Sequence, residues 1–207
     1  MYRNFFKRLI DIILSLIGLI ILFPFFIAVY ISILINMGRP VFFLQPRPGL
    51  NCQIFKIIKF RSMRNAHDKH GNLLKDAQRI TPLGAFIRKT SLDEIPQLIN
   101  VLKGDMSIVG PRPLAAKYLP YYTETENLRH TVRPGITGLA QVSGRNALSW
   151  DDKLKLDVEY VNNLSFWLDI TIIFKTVIKT VRRENMSATG IDSPGDFDEY
   201  RKKQLNV

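Results

Sequence analysis

At 207 residues the chain has room for one ordinary domain and a modest appendage, and 46% hydrophobic with 23% charged residues excludes wholesale disorder and fibrous repeats. Lys and Arg number 29 against 18 Asp and Glu, a formal charge of +11 that asks for an anionic partner: nucleic acid, a membrane surface or a phosphorylated substrate. One cysteine, Cys52, and three histidines exclude a disulfide framework, a Cys-rich zinc site and a His-rich metal cage, which points to an intracellular or cytoplasm-facing protein.

Between Ile12 and Gly38 no side chain is charged, and Ile12 to Ile35 is almost wholly Ile, Leu, Phe and Val. This reads as a membrane segment rather than a cleavable leader, and as a straight helix it reaches roughly 36 Å, enough to cross a bilayer. Two features favour a different path. Pro24 stands in the middle, where a missing N–H and a clash with the preceding turn kink a helix. Basic residues flank both ends, Arg3, Lys7 and Arg8 before and Arg39, Arg47, Lys56 and Lys59 after, so the positive-inside rule claims both flanks for the cytoplasm. A re-entrant helix hairpin bent at Pro24 satisfies both; a single crossing stays open.

Beyond this segment, Val41 to Leu44 and Gln53 to Phe60 read as a β-hairpin around a Pro46-to-Asn51 turn, and Arg61 to Asp76 as a surface loop. Ser91 to Lys103 carries the signals of a short helix: Ser91 and Glu94 have capping-box spacing, Pro96 falls in the first turns and Gly104 fits the position just past the end. Gly110 to Pro113 and Arg133 to Arg145 read as Gly/Pro loops, Leu114 to Leu128 and Ser149 to Asn163 as helices. From Phe166 to Arg183 apolar residues recur at helical spacing among basic ones, which suits an interfacial helix or a core helix with a solvated side. Residues from Met186 onward read as a loose tail. The expected fold is α+β and mostly α: a membrane helix over 1–38, a catalytic unit over 39–185 with a small β-hairpin and amphipathic interfacial helices around a cytoplasmic site, and a tail over 186–207.

The candidate chemistry centres on Asp93-Glu94 at the start of a predicted helix. Helix capping by Glu94 accounts for half of that pair without any function. A helix start also keeps a carboxylate ionised, as a nucleophile or a magnesium ligand requires. Basic residues in Gly/Pro-rich surroundings supply the context: Lys59 and Arg61 at a strand end, Arg88 and Lys89 before the acidic pair, Arg112 between Pro111 and Pro113, then Arg133 and Arg145. Held in this way, an Arg can fork onto phosphate oxygens. His67 and His70 lack partner ligands, Asp151-Asp152 are more simply capping residues, and Cys52 has no nearby His. No Walker loop or dinucleotide glycine fingerprint is present.

The motifs Lys7-Arg8 with Asp11, Lys59-Phe60-Arg61-Ser62-Met63, Thr90-Ser91-Leu92-Asp93-Glu94-Ile95-Pro96-Gln97, Lys103-Gly104-Asp105-Met106-Ser107, Val109-Gly110-Pro111-Arg112-Pro113 and Arg133-Pro134-Gly135-Ile136-Thr137-Gly138 occur in that order. In this the chain resembles the bacterial sugar transferases, the monotopic polyprenyl-phosphate phosphoglycosyl transferases, up to about Phe174, and most resembles small members consisting of the catalytic unit alone. The resemblance implies transfer of a sugar 1-phosphate from a UDP-sugar to membrane polyprenyl (undecaprenyl) phosphate with release of UMP, at the cytoplasmic face of the bacterial inner membrane. It further implies Asp93 as covalent nucleophile and Mg2+ ligand, Glu94 as its partner and second ligand, Arg112 on phosphate, and Pro24 as the bend of a re-entrant helix. Lys59, Arg88 and Arg145 are added as phosphate or nucleotide contacts.

Where the family often has Ser before the membrane proline, this chain has Phe23. Two rival functions fit part of the pattern: a glycosyltransferase that moves the sugar alone and releases UDP, and a non-enzymatic scaffold that binds anionic phospholipids. A nucleic-acid reader is disfavoured because the basic residues lie beside a membrane segment rather than on one soluble helix.

Overall fold

The computed structural model describes residues 1–66, 68–72, 74–144, 147–182 and 195–205. A π-helical lead, Tyr2–Phe6, runs into α1 (Lys7–Met37), followed by β1 (Phe42–Pro48), β2 (Ile54–Phe60), α2 (Asp76–Arg79), α3 (Pro82–Lys89) and a 3-10 turn, Leu92–Glu94. Next come α4 (Gln97–Lys103), β3 (Ser107–Val109), a 3-10 stretch Ala116–Tyr121, α5 (Glu124–Asn127) and a second 3-10 turn, Leu128–Thr131. The remaining elements are β4 (Gly135–Thr137), α6 (Leu139–Ser143), α7 (Trp150–Asn162), α8 (Phe166–Arg182) and α9 (Phe197–Leu205).

α1 is one helical element with Pro24 inside it, long and apolar enough to cross a membrane, and Gly38, at a φ of 67° that favours glycine, ends it. Its two ends dock on the same domain while its middle is exposed, with Ile20 at 74%. At the first end Lys7 pairs with buried Asp169 at 2.7 Å, Arg8 donates to the Val101 and Leu102 carbonyls, and Asp11 accepts from the Ile108 amide. Arg8 therefore satisfies the orphan carbonyls that close α4. At the other end Val29 and Ile33 pack with Val41, Phe60 and Ile87, and Arg61 donates to the Met37 and Gly38 carbonyls.

The hairpin is antiparallel and in register from Phe42 opposite Phe60 to Pro48 opposite Ile54, so β1 runs through Pro46 and Pro48, farther than the predicted Leu44. Among the described residues no third strand lies beside β1, so the missing N–H groups of both prolines cost no ladder bond. Buried Asn100 of α4 takes the place of a strand beside β2, accepting from the Ile58 amide at 2.9 Å and donating to the Lys56 carbonyl at 2.9 Å.

Within the segment predicted as a Gly/Pro loop over Arg133–Arg145 lies a strand, β4, which pairs in parallel with β3 just before the predicted Gly110–Pro113 loop, Ser107 opposite Gly135 and Val109 opposite Thr137. Gly110 and Gly135 permit it: a Cβ on either would collide with backbone across the junction. The helix predicted over Leu114–Leu128 is broken instead at extended Tyr122 and Thr123, into a 3-10 stretch that contains Pro120 and the short α5 that Thr123 caps. Ser149 caps α7 through the Asp152 amide, so the predicted helix start holds.

α8 turns Asp169 and Ile172 inward and leaves Trp167 (75% exposed), Ile170, Phe174 and Val177 outward, so much of its apolar side faces away from the core. Within the expected tail, α9 inserts fully buried Phe197 among Tyr118, Tyr122 and Trp150, while Arg201 pairs with Glu126. This helix is fixed to the domain by packing that no periodicity in so short a segment announces.

Candidate active site

Four segments meet at the site. Lys59 comes from the end of β2, Arg88 from the last turn of α3, the acidic pair from the 3-10 turn, and Arg112 from the loop after β3. Ser91, the expected cap, has φ 56° and makes no side-chain capping bond. Glu94 does not reach back to close a capping box, because its carboxylate is spent elsewhere. Its Oε1 accepts from Lys59 Nζ at 2.8 Å and from Arg112 Nη2 at 2.7 Å. The capping explanation of Glu94 therefore falls, and the turn serves to present two carboxylates to three cations.

The two acids are treated differently. Burial alone would raise Glu94, but the pull of Arg112 and Lys59 outweighs it and holds the carboxyl well below the usual range. Asp93 is buried, accepts no hydrogen bond from the described residues, and has Lys59 Nζ 3.9 Å from Oδ2. Burial and the neighbouring Glu94 charge push its pKa up to about 6, against the opposing pull of Lys59, Arg112 and Arg88. Glu94 is thus a fixed, neutralised anion. Asp93 is an under-partnered carboxylate that is mostly ionised at neutral pH, the state in which an oxygen can attack or bind a cation.

Arg112 is held at Glu94 yet keeps 43% of its side chain exposed, so part of its fork is open to an incoming anion. Its charge is reinforced by Glu94. Arg88 makes no ion pair with the described residues, and its charge favours ionised Asp93. Arg61 is drawn off to the end of α1, and Arg133 donates to the Gly104 carbonyl at the far end of α4. Arg145 and His67 lie outside the described residues.

Sequence reasoning passed over Arg47. It is half-buried on β1, donates to Gln45 at 2.7 Å, and lies near enough to Arg112 for burial and then that like charge to lower its pKa. The signal was available: Pro46-Arg47-Pro48 repeats the Pro111-Arg112-Pro113 pattern.

The described residues contain no group of three or more His, Cys, Asp or Glu side chains able to hold a metal unaided. The donors at this turn are two carboxylates, one of which accepts no hydrogen bond from the described residues. That set fits Mg2+, which commonly takes one or two carboxylates and completes its shell with phosphate oxygens and water.

Residues 2–183 match the family model described as bacterial sugar transferase. An uncharacterized sugar transferase, EpsL, of Bacillus subtilis is 52% identical over 188 residues, 88% of this chain and 91% of the relative. The UDP-glucose:undecaprenyl-phosphate glucose-1-phosphate transferase of Xanthomonas campestris is 43% identical over 84% of this chain and 38% of its own length. The undecaprenyl-phosphate galactose phosphotransferase of Salmonella typhimurium is 41% identical over 87% of this chain and 41% of its own length. The chain therefore spans less than half the length of these last two.

Proposed function

The chain belongs to the bacterial sugar transferase family, and on that premise we propose that it moves a sugar 1-phosphate from a UDP-sugar to undecaprenyl phosphate through a covalent intermediate on Asp93. The observation that carries the reading is the division of labour between the acids: Glu94 is locked by Lys59 and Arg112, while Asp93 accepts no hydrogen bond from the described residues.

In the first step an Asp93 carboxylate oxygen attacks the phosphorus that bears the sugar. The bond from that phosphorus to the bridging oxygen breaks, and UMP leaves with the electron pair. In the second step an oxygen of the lipid phosphate attacks the same phosphorus, the acyl-phosphate bond breaks, Asp93 is regenerated as carboxylate and the product is a lipid diphosphate sugar. Arg112 and Lys59 neutralise charge that spreads over the phosphoryl oxygens, and Arg88 holds Asp93 ionised. Asp93 and Glu94 are the residues to hold Mg2+, which when bound shields the phosphates and lowers the repulsion against an anionic nucleophile.

The same reading places the chain at the cytoplasmic face of the inner membrane, with α1 entering and leaving by that face. Support comes from the docking of both α1 ends on one domain, with the exposed apolar middle between them, and from basic residues on both flanks. The outward apolar side of α8 suits the interface beside it.

The deciding experiment incubates the membrane-reconstituted chain with a panel of UDP-sugars, with and without undecaprenyl phosphate, and identifies the nucleotide released. UMP, together with a phosphosugar mass added to the Asp93 peptide when acceptor is withheld, is the expected result. UDP release would instead establish transfer of the sugar alone, and unchanged turnover by Asp93→Asn would refute the covalent route.

A further inference from the structure

Behind Arg112 lies an ion pair that the proposed chemistry does not touch. Arg129, from the 3-10 turn before β4, and Asp157, from the middle of α7, are both buried. Arg129 donates to Asp157 Oδ2 through Nε at 3.1 Å and through Nη2 at 2.8 Å. The same Nη2 donates to the backbone carbonyl of Arg112 at 2.6 Å. On its other side the guanidinium lies over the Tyr122 ring, 5.6 Å from the centroid.

A buried ion pair is weak evidence for stability, because well-packed apolar residues of similar volume often do as well. Reaching a carboxylate and a backbone carbonyl with one planar fork is a task that apolar residues cannot perform. The carbonyl that it reaches matters. Arg112 precedes Pro113, which biases its backbone to an extended conformation and leaves its carbonyl in need of a donor. The preceding residues are tied to the opposite wall, Gly110 N to Thr137 O at 2.9 Å and Gly135 N to Pro111 O at 3.0 Å. Arg129 is thus the second anchor of a loop whose one long side chain reaches Glu94.

We propose that Arg129, locked by Asp157, is a positioning residue for Arg112: it fixes the loop backbone so that the Arg112 guanidinium meets Glu94 and the phosphate of the nucleotide sugar together. This rests on reading Arg112 as a phosphate contact. Arg129 touches neither carboxylate of the acidic pair, so its effect must pass through Arg112.

A two-background comparison tests it. Arg129→Lys keeps the charge but cannot hold Asp157 and the carbonyl in one plane; Asp157→Asn keeps the shape and frees the fork to drift. Each is made in the otherwise unchanged chain and in an Arg112→Ala chain, reconstituted in the membrane. UMP binding, UMP release and thermal stability are measured for all. With Arg112 present, UMP affinity and kcat/KM should fall roughly ten- to a hundredfold, by analogy with the loss when an orienting partner is removed from a metal-ligating side chain. In the Arg112→Ala background the further loss of UMP affinity should be under about twofold, while the thermal destabilisation stays the same in both.

Equal losses of affinity in the two backgrounds would overturn the proposal and make the pair purely structural, and so would unchanged affinity with Arg112 present. If Arg129→Lys does not fold, the Asp157→Asn comparison decides alone. Absence of UMP release from the unmodified chain would refute the functional reading, whereas the binding comparison would still report on the positioning.

Discussion

Glu94→Gln separates the roles of the two acids most sharply. In the native site one oxygen, Oε1, accepts from Lys59 at 2.8 Å and from Arg112 at 2.7 Å, both charge-assisted bonds. Such bonds contribute about 1.5–3 kcal/mol each, roughly twice a neutral one. Gln keeps an acceptor in the same place, so each bond drops by about 1 kcal/mol and the pair by about 2 kcal/mol. If that loss falls on the transition state, kcat/KM decreases roughly 30-fold. A second effect works in the same direction. With the Glu94 charge gone, Asp93 loses the like charge that helps hold its pKa near 6, and Lys59, already 3.9 Å away, leans toward it. Asp93 becomes less basic and therefore a weaker nucleophile. The assay is UMP release across a range of UDP-sugar concentrations, paired with a thermal melt of the reconstituted protein. Unchanged kcat/KM with only a lowered melting temperature would show that Glu94 is structural after all. A phosphosugar found on Glu94 rather than Asp93 in the unmodified chain would exchange the roles assigned to the two acids.

Activity should disappear in excess EDTA and return with Mg2+, because two carboxylates and the substrate phosphates make an all-oxygen, anionic ligand set suited to that ion; full turnover in EDTA would contradict this. Phe197→Ala empties a fully buried ring site contacting Tyr118, Tyr122 and Trp150. About 3–5 kcal/mol should be lost, enough to release α9, and limited proteolysis should then cut within residues 195–205; an unchanged cleavage pattern would show that α9 does not depend on this ring. Single cysteines at Asn4 and at Asn51, in a Cys52→Ala background, should both resist a membrane-impermeant thiol reagent in intact cells and react after lysis. Labelling at Asn4 from outside would establish a full crossing.

The parts of the molecule readable from sequence are those governed by neighbouring residues. The apolar run of α1, the hairpin, the Ser149 cap of α7, the glycine after α4 and the periodicity of α8 each depend on local composition or spacing. What misled was local spacing overruled by distant partners. Ser91 and Glu94 have capping-box separation, yet two cations from β2 and from the Arg112 loop claim the Glu94 carboxylate. The β3–β4 pair was hidden because three-residue strands carry no alternation, and their glycines look like loop residues until their close approach is seen. Of the site, the acidic pair with Lys59, Arg88 and Arg112 was legible because charges beside proline or glycine stand out. Arg129 and Asp157 were not, since a basic residue and an acidic one on a helical stretch look the same solvated or buried.

The two docked ends of α1 explain why a membrane segment is built into this domain rather than appended to it. Its first turns act on the arginine side of the site: Arg8 closes α4, and Asp11 takes the amide of Ile108, two residues before Gly110 and the loop that carries Arg112. Its last turns act on the nucleophile side, where Val29 and Ile33 form the cluster against which Leu92 packs, immediately before Asp93. Shifting either end relative to the other would therefore move Arg112 against Asp93. In the proposed reaction that spacing must match a phosphate held at the headgroup level by its lipid chain. With the proposed topology, in which the helix enters the apolar phase between its two contacts, the depth of the membrane would be tied to the geometry of the site. Removing it would be expected to take away more than membrane affinity, because α4 would lose its C-terminal cap and the turn carrying Asp93 would lose its floor.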